Sequence, residues 1–361
     1  MWRLLFLLIP LLALAYALWH VWCLLPLPQV WRAVVLALFF LCFCMLFLSV
    51  GRVLDKLPMP LATAVYRTGT SSLIVMLYCV LAFLLLDALR LLHIVPPSLL
   101  RSNLWTTVGL LLVIGALLVC GNVHYHHKVR QSLSLTTRKR VGQEVRLLMA
   151  SDLHLGYHIR RGELRGWVDM INAEHPDVIL LAGDLVDRSM KPLFEEDMAA
   201  ELRRLEAPVF ACLGNHEYYC DETKAEAFYK AAGITLLRDS VATWQGLCIV
   251  GRDDRTNPRR KSLAELMEKA DKGKYIVLLD HQPWDIGRSA EEGVDFQLSG
   301  HTHHGQVFPI SLATDAIYTV AHGAYKIGDT RFFVSSGLGI WGGKFRIGTC
   351  SEYIIATLQG E

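Results

Sequence analysis

The sequence predicts two parts, an N-terminal membrane region of about four helices and a C-terminal α/β domain. The first observation behind this prediction is charge: residues 1–122 contain seven lysines and arginines and two acids, whereas the rest of the chain has a balanced charged composition. The second is pattern, because short apolar runs alternate with helical stretches after residue 145, as in an α/β sheet. We place the membrane region at 1–122, a juxtamembrane linker with a first strand at 123–144, and the α/β domain at 145–361.

Four apolar segments have the length that the hydrocarbon core of a bilayer demands, about 20 residues each. The chain is 53% hydrophobic, and its mean hydropathy of +0.33 is high for a soluble protein. The first segment has small residues typical of a signal-peptide cleavage site. Its apolar run is long, however, and three more segments follow, which favours a retained helix. The predicted spans are 4–25, 31–50, 72–94 and 104–120.

The basic residues around the spans predict the orientation of the membrane region. With the N-terminus inside, nine lysines and arginines lie on the cytoplasmic side and three on the other side. The α/β domain is therefore expected in the cytosol. This expectation depends on the number of helices, because one span more or fewer would place the domain outside.

Charge and cysteine content exclude several classes of protein. The net charge of +2 gives no sign of a basic face, so we expect no nucleic-acid partner. The nine cysteines show no CxxC spacing, so neither a zinc knuckle nor a disulfide scaffold is indicated. This cysteine pattern favours a reducing compartment.

Five apolar runs of the C-terminal part each end in residues that bind metals. The runs cover 146–150, 178–182, 209–213, 275–279 and 294–298, and such continuous runs are typical of buried strands. Helical stretches lie between them, such as 161–174 and 192–205. Because the carboxyl ends of the strands form one edge of an α/β sheet, the residues that follow the runs should lie together. These residues are Asp152, His154, Asp184, Asn215, His281, His301 and His303.

The chemistry of this ligand set favours divalent metal ions. Carboxylates, imidazoles and an amide oxygen together suit Mn, Fe, Zn or Co. A carboxylate that bridges two ions would hold them roughly 3.5–4 Å apart, the spacing of two-metal phosphoryl chemistry. Such a pair lowers the pKa of a shared water to give hydroxide, and neutralises charge on the phosphoryl oxygens.

The motifs resemble those of the calcineurin-like metallophosphoesterases, over about residues 145–358. The matching motifs are Asp152-x-His154, Gly183-Asp184, Gly214-Asn215-His216-Glu217, His281 and Gly300-His301-x-His303. The resemblance implies a sandwich of two β-sheets flanked by helices, two divalent ions, and hydrolysis of a phosphate ester.

The resemblance also implies a role for each predicted site residue. Asp184 would bridge the two ions. His216 would act as general acid or phosphate contact, and Asp187 would orient it. Arg188 matches an arginine that binds phosphate in one branch of the family, and a solvated or structural Arg188 is the alternative. The first ion would be bound by Asp152, His154 and His303, and the second by Asn215, His281 and His301.

Two later segments resemble a narrower group, the YkuE/YaeI-like bacterial membrane-associated phosphodiesterases. They are GHTHHGQ at 300–306 and SSGLGIWGG at 335–343. The chain departs from that pattern at His304, where glycine is usual, and at Cys350-Ser351 before Glu352, where proline is usual. None of the departing residues is a predicted ligand.

Two further features keep alternatives open. The loop 252–261 carries five basic residues, which would either dock an anionic headgroup or be solvated. Tyr218 and Tyr219 follow the Asn-His-Glu turn and would either wall the substrate pocket or pack at its rim.

The predicted function is a hydrolase of the phosphodiesterase or pyrophosphatase type, anchored as a multi-pass protein in a bacterial inner membrane. The anchor favours a lipid or lipid-linked substrate, because it would raise the effective concentration of such a substrate at the site. A soluble nucleotide or phosphoprotein is left open, as are the metal (manganese among the candidates), monoester or diester preference, and the oligomeric state. The alternative function is a metal-stabilised membrane scaffold that binds partners without turnover.

Overall fold

The computed structural model describes residues 2–50, 52–139 and 141–360. Arg140, one of the nine basic residues assigned to the cytoplasmic side, lies outside these ranges. The chain divides into two compact units. One comprises Met1–Asn122 with Gly342–Lys344, and the other comprises Val123–Trp341 with Phe345–Glu361.

The first unit is helical, and three of its helices are long and apolar enough to cross a membrane within the described residues. These three stretches are Gln29–Ser49, Met59–Leu91 and Leu104–His126, while the first helix provides a shorter apolar stretch, Leu8–Leu24. The predicted spans 31–50, 72–94 and 104–120 are therefore supported, and the first predicted span, 4–25, stays a prediction. The helices are α1 (Trp2–Leu24), α2 (Gln29–Val50), α3 (Met59–Leu91) and α4 (Leu104–His126), with short 3-10 helices at Arg52–Lys56 and Pro97–Leu100.

The helix of the third predicted span begins well before residue 72. Helix α3 begins at Met59, with a proline in its first turn where the missing N–H costs nothing. The polar stretch before residue 72 stays helical because it packs on α2. A Cβ at Gly69 would lie 2.5 Å from the backbone of Met45 and Leu46, so the two helix backbones meet closely there.

Polar contacts also join α1 to α3. The Tyr16 hydroxyl donates to Asp87 Oδ2 at 2.8 Å, and His20 Nε2 lies 3.0 Å from the same oxygen. Beside them, the side chains of Leu14, Phe43 and Met76 form a small apolar cluster. These contacts fix three helices against one another without a large core.

The second unit contains two mixed six-stranded sheets, as the resemblance implied. The first sheet has the order β1-β12-β2-β3-β4-β5 and the second β10-β11-β9-β8-β7-β6. The strands are β1 (Lys128–Thr137), β2 (Val145–Ala150), β3 (Val178–Ala182), β4 (Val209–Cys212), β5 (Thr235–Leu236), β6 (Ser240–Trp244), β7 (Leu247–Gly251), β8 (Tyr275–Leu279), β9 (Phe296–Ser299), β10 (Gly323–Ile327), β11 (Thr330–Val334) and β12 (Ser351–Gly360).

The central strands run parallel and point their carboxyl ends the same way. In the first sheet β2, β3 and β4 are parallel neighbours, and in the second sheet β7, β8 and β9 are. Only the outer pairings add antiparallel strands, such as β12 on β2 and β6 on β7. The residues after β2, β3, β4, β8 and β9 are the predicted ligands, so the topology gathers them at one rim.

Alternate side chains of each central strand enter two different cores, which explains the continuous apolar runs. Leu180 and Ala182 of β3 pack between the sheets with Val277 and Leu279 of β8. The other face of β3 packs under helices that cover the sheet. A strand that is buried on both faces has apolar residues at successive positions, without alternating polar ones.

Helices cover the outer faces of both sheets, and one of the two named helix predictions needs correction. The helical stretch 161–174 is confirmed as α5, whereas 192–205 is broken into α6 and α7. The break comes at Asp197, whose φ of 47° lies in the left-handed region and cannot continue a helix. The helices are α5 (Arg161–Ala173), α6 (Lys191–Glu195), α7 (Met198–Leu202), α8 (Asn215–Cys220), α9 (Glu222–Ala231), α10 (Leu263–Met267), α11 (Ile286–Glu291) and α12 (Ile310–Ile317), with a 3-10 turn at His303–Gly305.

Candidate active site

The structure brings the seven predicted ligands together at the carboxyl ends of five strands. Each follows its strand within a few residues, and Asn215 is the first residue of α8. Five of them are buried, and His301 and His303 are half-buried. Groups of three whose ligand atoms lie within 4.8 Å of one another include Asp152, His154 and His303, and also Asp184, His281 and His301.

In the first of these two groups, the atoms that could bind a metal lie close together in all three residues. His154 Nε2 lies 3.0 Å from His303 Nε2. Asp152 Oδ1 is 3.4 Å from the same His303 nitrogen and 3.8 Å from His154 Nε2. We call these residues the first ligand set.

The second ligand set comprises Asp184, Asn215, His281 and His301. His281 Nε2 lies 3.1 Å from Asp184 Oδ2, and His301 Nδ1 lies 2.8 Å from Asn215 Oδ1. Asp184 Oδ2 is also 3.6 Å from His154 Nε2 of the first set. One carboxylate oxygen therefore faces both sets, which is the position that a bridging ligand needs.

One ring nitrogen of His281 faces the shared carboxylate. Its Nδ1 lies 2.8 Å from Ala182 O, an oxygen that only accepts, so Nδ1 carries a hydrogen. The buried Nε2 faces Asp184 Oδ2 at 3.1 Å. Burial acts to lower the pKa of His281, but the Asp184 and Asp152 carboxylates raise it well above its usual value. The contact therefore takes a positive charge, either a proton on Nε2 or a metal ion, and a histidine held by a backbone carbonyl is typical of metal ligands.

Backbone strain is concentrated at the ligands. The φ angles of Asp152, His154, Asp184, His301 and His303 are 54°, 48°, 52°, 70° and 49°. This left-handed region costs a residue with a side chain about 1 kcal/mol or more. Five of the seven predicted ligands are thus held in a conformation that the surrounding contacts must maintain.

Glycines make room for the two ligand carboxylates. A Cβ at Gly214 would lie 2.1 Å from Asp184 Oδ1, and a Cβ at Gly300 would lie 2.2 Å from Asp152 Oδ2. The Gly-Asn and Gly-His motifs therefore carry glycine because another ligand occupies the space that a side chain would fill.

Burial and neighbouring charges separate the pKa values of the site. Burial lowers the pKa of His154, but the Asp152 and Asp187 carboxylates outweigh it and raise that pKa to about 10. Burial and the charge of His281 lower the pKa of His301 to about 4. Burial acts to raise the pKa of Asp184, yet His281 and His216 bring it well below its usual value. The site is a dense set of carboxylates that demands positive charge.

His216 and Asp187 form a pair next to the first ligand set. His216 Nδ1 lies 3.1 Å from Asp187 Oδ1, and the backbone N–H of His216 donates to Asp184 Oδ1 at 2.9 Å. Outside this pair, the Tyr219 ring lies 5.2 Å from the His216 ring, and the Arg188 guanidinium lies 5.4 Å from the Tyr219 ring. The half-buried Arg188 side chain thus lies beside Tyr219, whose ring is next to His216.

Glu217 is a site residue whose role no sequence pattern indicated. Its Oε2 accepts from the backbone N–H groups of Gly214 and Asp184 at 2.7 and 3.2 Å. Its Oε1 accepts from the Val186 N–H and the Tyr229 hydroxyl at 3.0 and 3.1 Å. Burial and the Asp184 charge raise the pKa of Glu217, but four donors around two oxygens favour the ionised form, which only accepts. Glu217 ties the Asp184 loop to the Asn215 turn.

Arg346 is a second residue that sequence reasoning missed. Its side chain is fully buried, and it donates to His303 O at 2.8 Å and to Gly339 O at 3.0 Å. Burial lowers the pKa of this guanidinium to about 10. Arg346 joins the loop of His303 to the SSGLG segment. Arg346 bonds mainly to backbone carbonyls, with Ser351 Oγ at 3.3 Å as a side-chain acceptor, and such contacts leave no sequence motif.

The structure describes contacts of the basic loop and of the two tyrosines. Arg252 and Arg260 point inward, to 3.2 and 3.3 Å from the buried Asp280 carboxylate beside His281, so these two arginines are structural. Headgroup docking or solvation stays open for the exposed Arg255 and Arg259.

The Tyr218 hydroxyl donates to Asp253 at 2.6 Å, which is a packing contact. Tyr219 is exposed, with its ring 5.2 Å from the His216 ring, where it could wall a substrate pocket.

Comparisons with known proteins agree with this geometry. A family model described as calcineurin-like phosphoesterase matches residues 145–305. A protein of Aquifex aeolicus, described as an uncharacterised metallophosphoesterase, is 32% identical over 247 residues, which are 66% of this chain and 94% of that protein. YkuE of Bacillus subtilis, described in the same way, is 27% identical over 273 residues, 69% of this chain and 93% of YkuE.

A further relative is described as membrane-bound. A Danio rerio protein, described as a transmembrane protein with metallophosphoesterase domain, is 31% identical over 229 residues, 58% of this chain and 52% of that protein. The chain spans 59% of the length of a metallophosphoesterase from Helicobacter pylori that it matches at 33% identity.

We predict that Glu217→Gln destabilises the protein and weakens metal binding together. The glutamine amide turns an N–H group towards backbone N–H donors, which leaves buried donors without an acceptor and should cost about 1–3 kcal/mol of unfolding free energy. Thermal unfolding in detergent and equilibrium dialysis with Mn²⁺ measure the two effects. Glu206→Gln, on the exposed surface, is the matched control. Equal melting temperatures for the two variants would contradict the role of Glu217.

Proposed function

This chain belongs to the calcineurin-like metallophosphoesterases, as its motifs predicted, and we propose that it hydrolyses a phosphodiester or pyrophosphate bond of an amphiphilic substrate. The family makes it a metal-dependent phosphoric ester hydrolase. The observation that carries the proposed reaction is the pair of ligand sets that share the Asp184 carboxylate, with Oδ2 3.1 Å from His281 and 3.6 Å from His154.

The residues that would hold two divalent ions are those of the first and second ligand sets, with Asp184 shared. When bound, the ions would supply a water of lowered pKa and neutralise negative charge on the phosphoryl group. The protein contributes the fixed geometry. The Ala182 carbonyl orients His281, and the Asp184 carboxylate fills the space beside Gly214 that a side chain would otherwise occupy. Neither ligand therefore has to reorganise when an ion binds.

His216 would protonate or contact the leaving oxygen. Asp187 accepts at the Nδ1 edge of the ring, 3.1 Å away, so the Nε2 edge is the one available to the substrate. His216 is 8% exposed, enough for contact with a bound ester. Arg188, beside Tyr219, would contact a phosphate oxygen of the substrate.

We call residues 300–306, which carry His301 and His303, the ligand loop. An apolar surface beside it supports an amphiphilic substrate. Phe308, Ile310, Leu312 and Ile317 are 51, 42, 58 and 59% exposed. They belong to α12 and the residues before it, and α12 begins directly against the ligand loop: a Cβ at Gly305 would lie 2.4 Å from Ser311 N. A soluble ester has no use for this surface, whereas an acyl chain attached to the scissile phosphate would bury part of it.

We also propose that the enzyme is a multi-pass protein of a bacterial inner membrane with its catalytic domain, residues 145–361, in the cytosol. The apolar helices and the Danio rerio relative support a membrane location, and the bias of basic residues supports the cytosolic side. The orientation depends on whether α1 spans the membrane, because three spans with the N-terminus inside would put the domain outside.

The first prediction concerns the metal ions. Hydrolysis of bis-p-nitrophenyl phosphate by the full chain in detergent should require Mn²⁺ and be abolished by EDTA. Asp184→Ala and His281→Ala should each lower kcat/KM about a hundredfold or more, since several kcal/mol of transition-state stabilisation depend on the ions. His175→Ala, at an exposed histidine, is the control. The ratio to p-nitrophenyl phosphate measures diester against monoester preference.

Two results would argue against this function. Activity that survives EDTA, or persists in both ligand variants, would remove the ions from the reaction. Two ions bound per chain without turnover of either ester would instead fit a scaffold that binds partners.

The second prediction concerns the apolar surface. We compare hexadecyl and methyl p-nitrophenyl phosphate, which share the reacting bond, and expect a higher kcat/KM for the long chain. Leu312→Glu should lower kcat/KM for the hexadecyl ester about tenfold, the equivalent of one lost apolar contact, and leave the methyl ester unchanged. Phe194→Glu, at an exposed aromatic on α6, is the control. Equal losses on both esters would show that the surface does not contact the substrate chain.

The third prediction concerns orientation. A fluorescent protein fused after residue 361 should fluoresce, and alkaline phosphatase fused at the same point should be inactive, because alkaline phosphatase matures only outside the cytosol. Fusions after residue 95, between α3 and α4, should give the reverse pattern. Active phosphatase at the C-terminus would place the domain outside and contradict the proposed orientation.

A further inference from the structure

Three side chains of metal-ligand type meet at a second place in the C-terminal unit. His322 Nε2, Cys350 Sγ and one oxygen of Glu352 lie within 4.8 Å of one another. His322 precedes β10, and the other two lie at the start of β12. Among the residues that the structure describes, this is the one group of three that includes a cysteine. We call it the peripheral cluster.

Glu352 holds the peripheral cluster in place. Its side chain is fully buried, and Oε1 accepts from the Ser336 N–H at 2.8 Å. His322 Nε2 lies 2.9 Å from the same oxygen. Oε2 accepts from Gln131 Nε2 at 2.9 Å and lies 4.0 Å from Cys350 Sγ. The carboxylate is thus positioned by backbone and amide donors, with the imidazole and the thiol at its open side.

His304 packs directly on this cluster. Its ring stacks on the His322 ring with centroids 4.7 Å apart and planes within 12°, and its Nε2 lies 3.4 Å from Asp315 Oδ1. The φ angle of His304 is 49°, a conformation that glycine adopts freely and histidine does not. The strain indicates that the side chain is retained for its contacts.

The two departures from the family motif therefore converge. His304 stacks on His322, and Cys350, from the Cys350-Ser351 departure, lies 4.0 Å from Glu352 Oε2. His322 and Glu352 are themselves 2.9 Å apart, so each departure contacts one member of the same pair. A shared ligand at the peripheral cluster would connect them.

We propose that His322, Cys350 and Glu352 bind a zinc ion, with water in the fourth position. Zinc prefers this mixture of sulfur, nitrogen and oxygen at distances of about 2.0–2.3 Å. The present separations of 2.9 Å between nitrogen and oxygen and 4.0 Å between sulfur and oxygen require small side-chain shifts to reach that geometry.

The charges balance when the ion binds. The Cys350 thiol releases its proton to solvent, and the thiolate with the Glu352 carboxylate neutralises the dication. His322 stays neutral, with its proton on Nδ1 and the lone pair of Nε2 on the metal. Burial raises the pKa of the Cys350 thiol, while the Arg346 guanidinium favours the thiolate. Burial of a net neutral group avoids the cost of an unpaired charge.

Such an ion would stabilise the segment behind the candidate active site. Glu352 accepts from the Ser336 N–H, and the next residue, Gly337, packs so closely that a Cβ there would lie 2.9 Å from Asp152 Cβ. The site is thus structural, and closes β12 onto the SSGLG segment.

Cobalt substitution tests the proposal with a signal that the active site cannot give. The predicted catalytic ligands include no sulfur, so thiolate-to-cobalt charge-transfer absorption reports the peripheral cluster alone. We expect this absorption when the metal-free full chain in detergent is titrated with Co²⁺. It should be lost in Cys350→Ser and in His322→Gln, and retained in Cys248→Ser, a buried cysteine of β7. Zinc-loaded Cys350→Ser should contain one equivalent less than wild type.

The outcomes separate this site from the proposed reaction. No charge-transfer absorption in wild type, or absorption that persists in Cys350→Ser, would overturn the proposal even if hydrolysis is normal. Absorption in wild type without metal-dependent hydrolysis would uphold the zinc site and reject the proposed function. His304→Gly should keep the absorption but weaken cobalt binding about tenfold, because it removes the ring that orients His322. Unchanged affinity would contradict that role.

Discussion

The buried Asp184 carboxylate is the constraint on which the catalytic unit depends. It faces imidazoles on two sides, and water cannot solvate it, so the fold must provide positive charge or accept a large desolvation cost. The neighbouring features follow from this need. Gly214 has no side chain because the carboxylate fills the space, and Glu217 fixes the loop that carries Asp184. The left-handed backbone at Asp184 is tolerable because these contacts hold it.

The strands and the convergence of the candidate ligands were predictable because both have simple physical signatures. A strand buried on both faces is a continuous apolar run, and a ligand after its carboxyl end reaches a shared rim, as Asp152 and His281 do. The start of α3 was missed because the polar residues before 72 resemble a loop. Only their packing on α2, where Gly69 meets backbone, shows why they stay helical.

The residues that support the ligands were not predictable in the same way. Glu217 and Arg346 bond mainly to backbone atoms of segments far apart in sequence, and such bonds leave no periodicity or spacing. Glu217 stands inside a recognised motif, yet its role appears only when the Asp184 loop is seen beside it. Likewise, the break at Asp197 depends on one left-handed residue, which neither composition nor helical periodicity reveals.

Three neighbouring residues of the ligand loop after β9 each take part in a different contact. His303 belongs to the first ligand set, His304 stacks on the peripheral cluster, and Gly305 receives the first turn of α12. Because close-packed segments move together rather than independently, a change at any one of these positions should be felt at the others. A metal at the peripheral cluster and an acyl chain on α12 would both restrain the same loop. The ligand geometry at His303 would then depend on its neighbours on both sides, in a turn where His301, His303 and His304 all have left-handed φ angles.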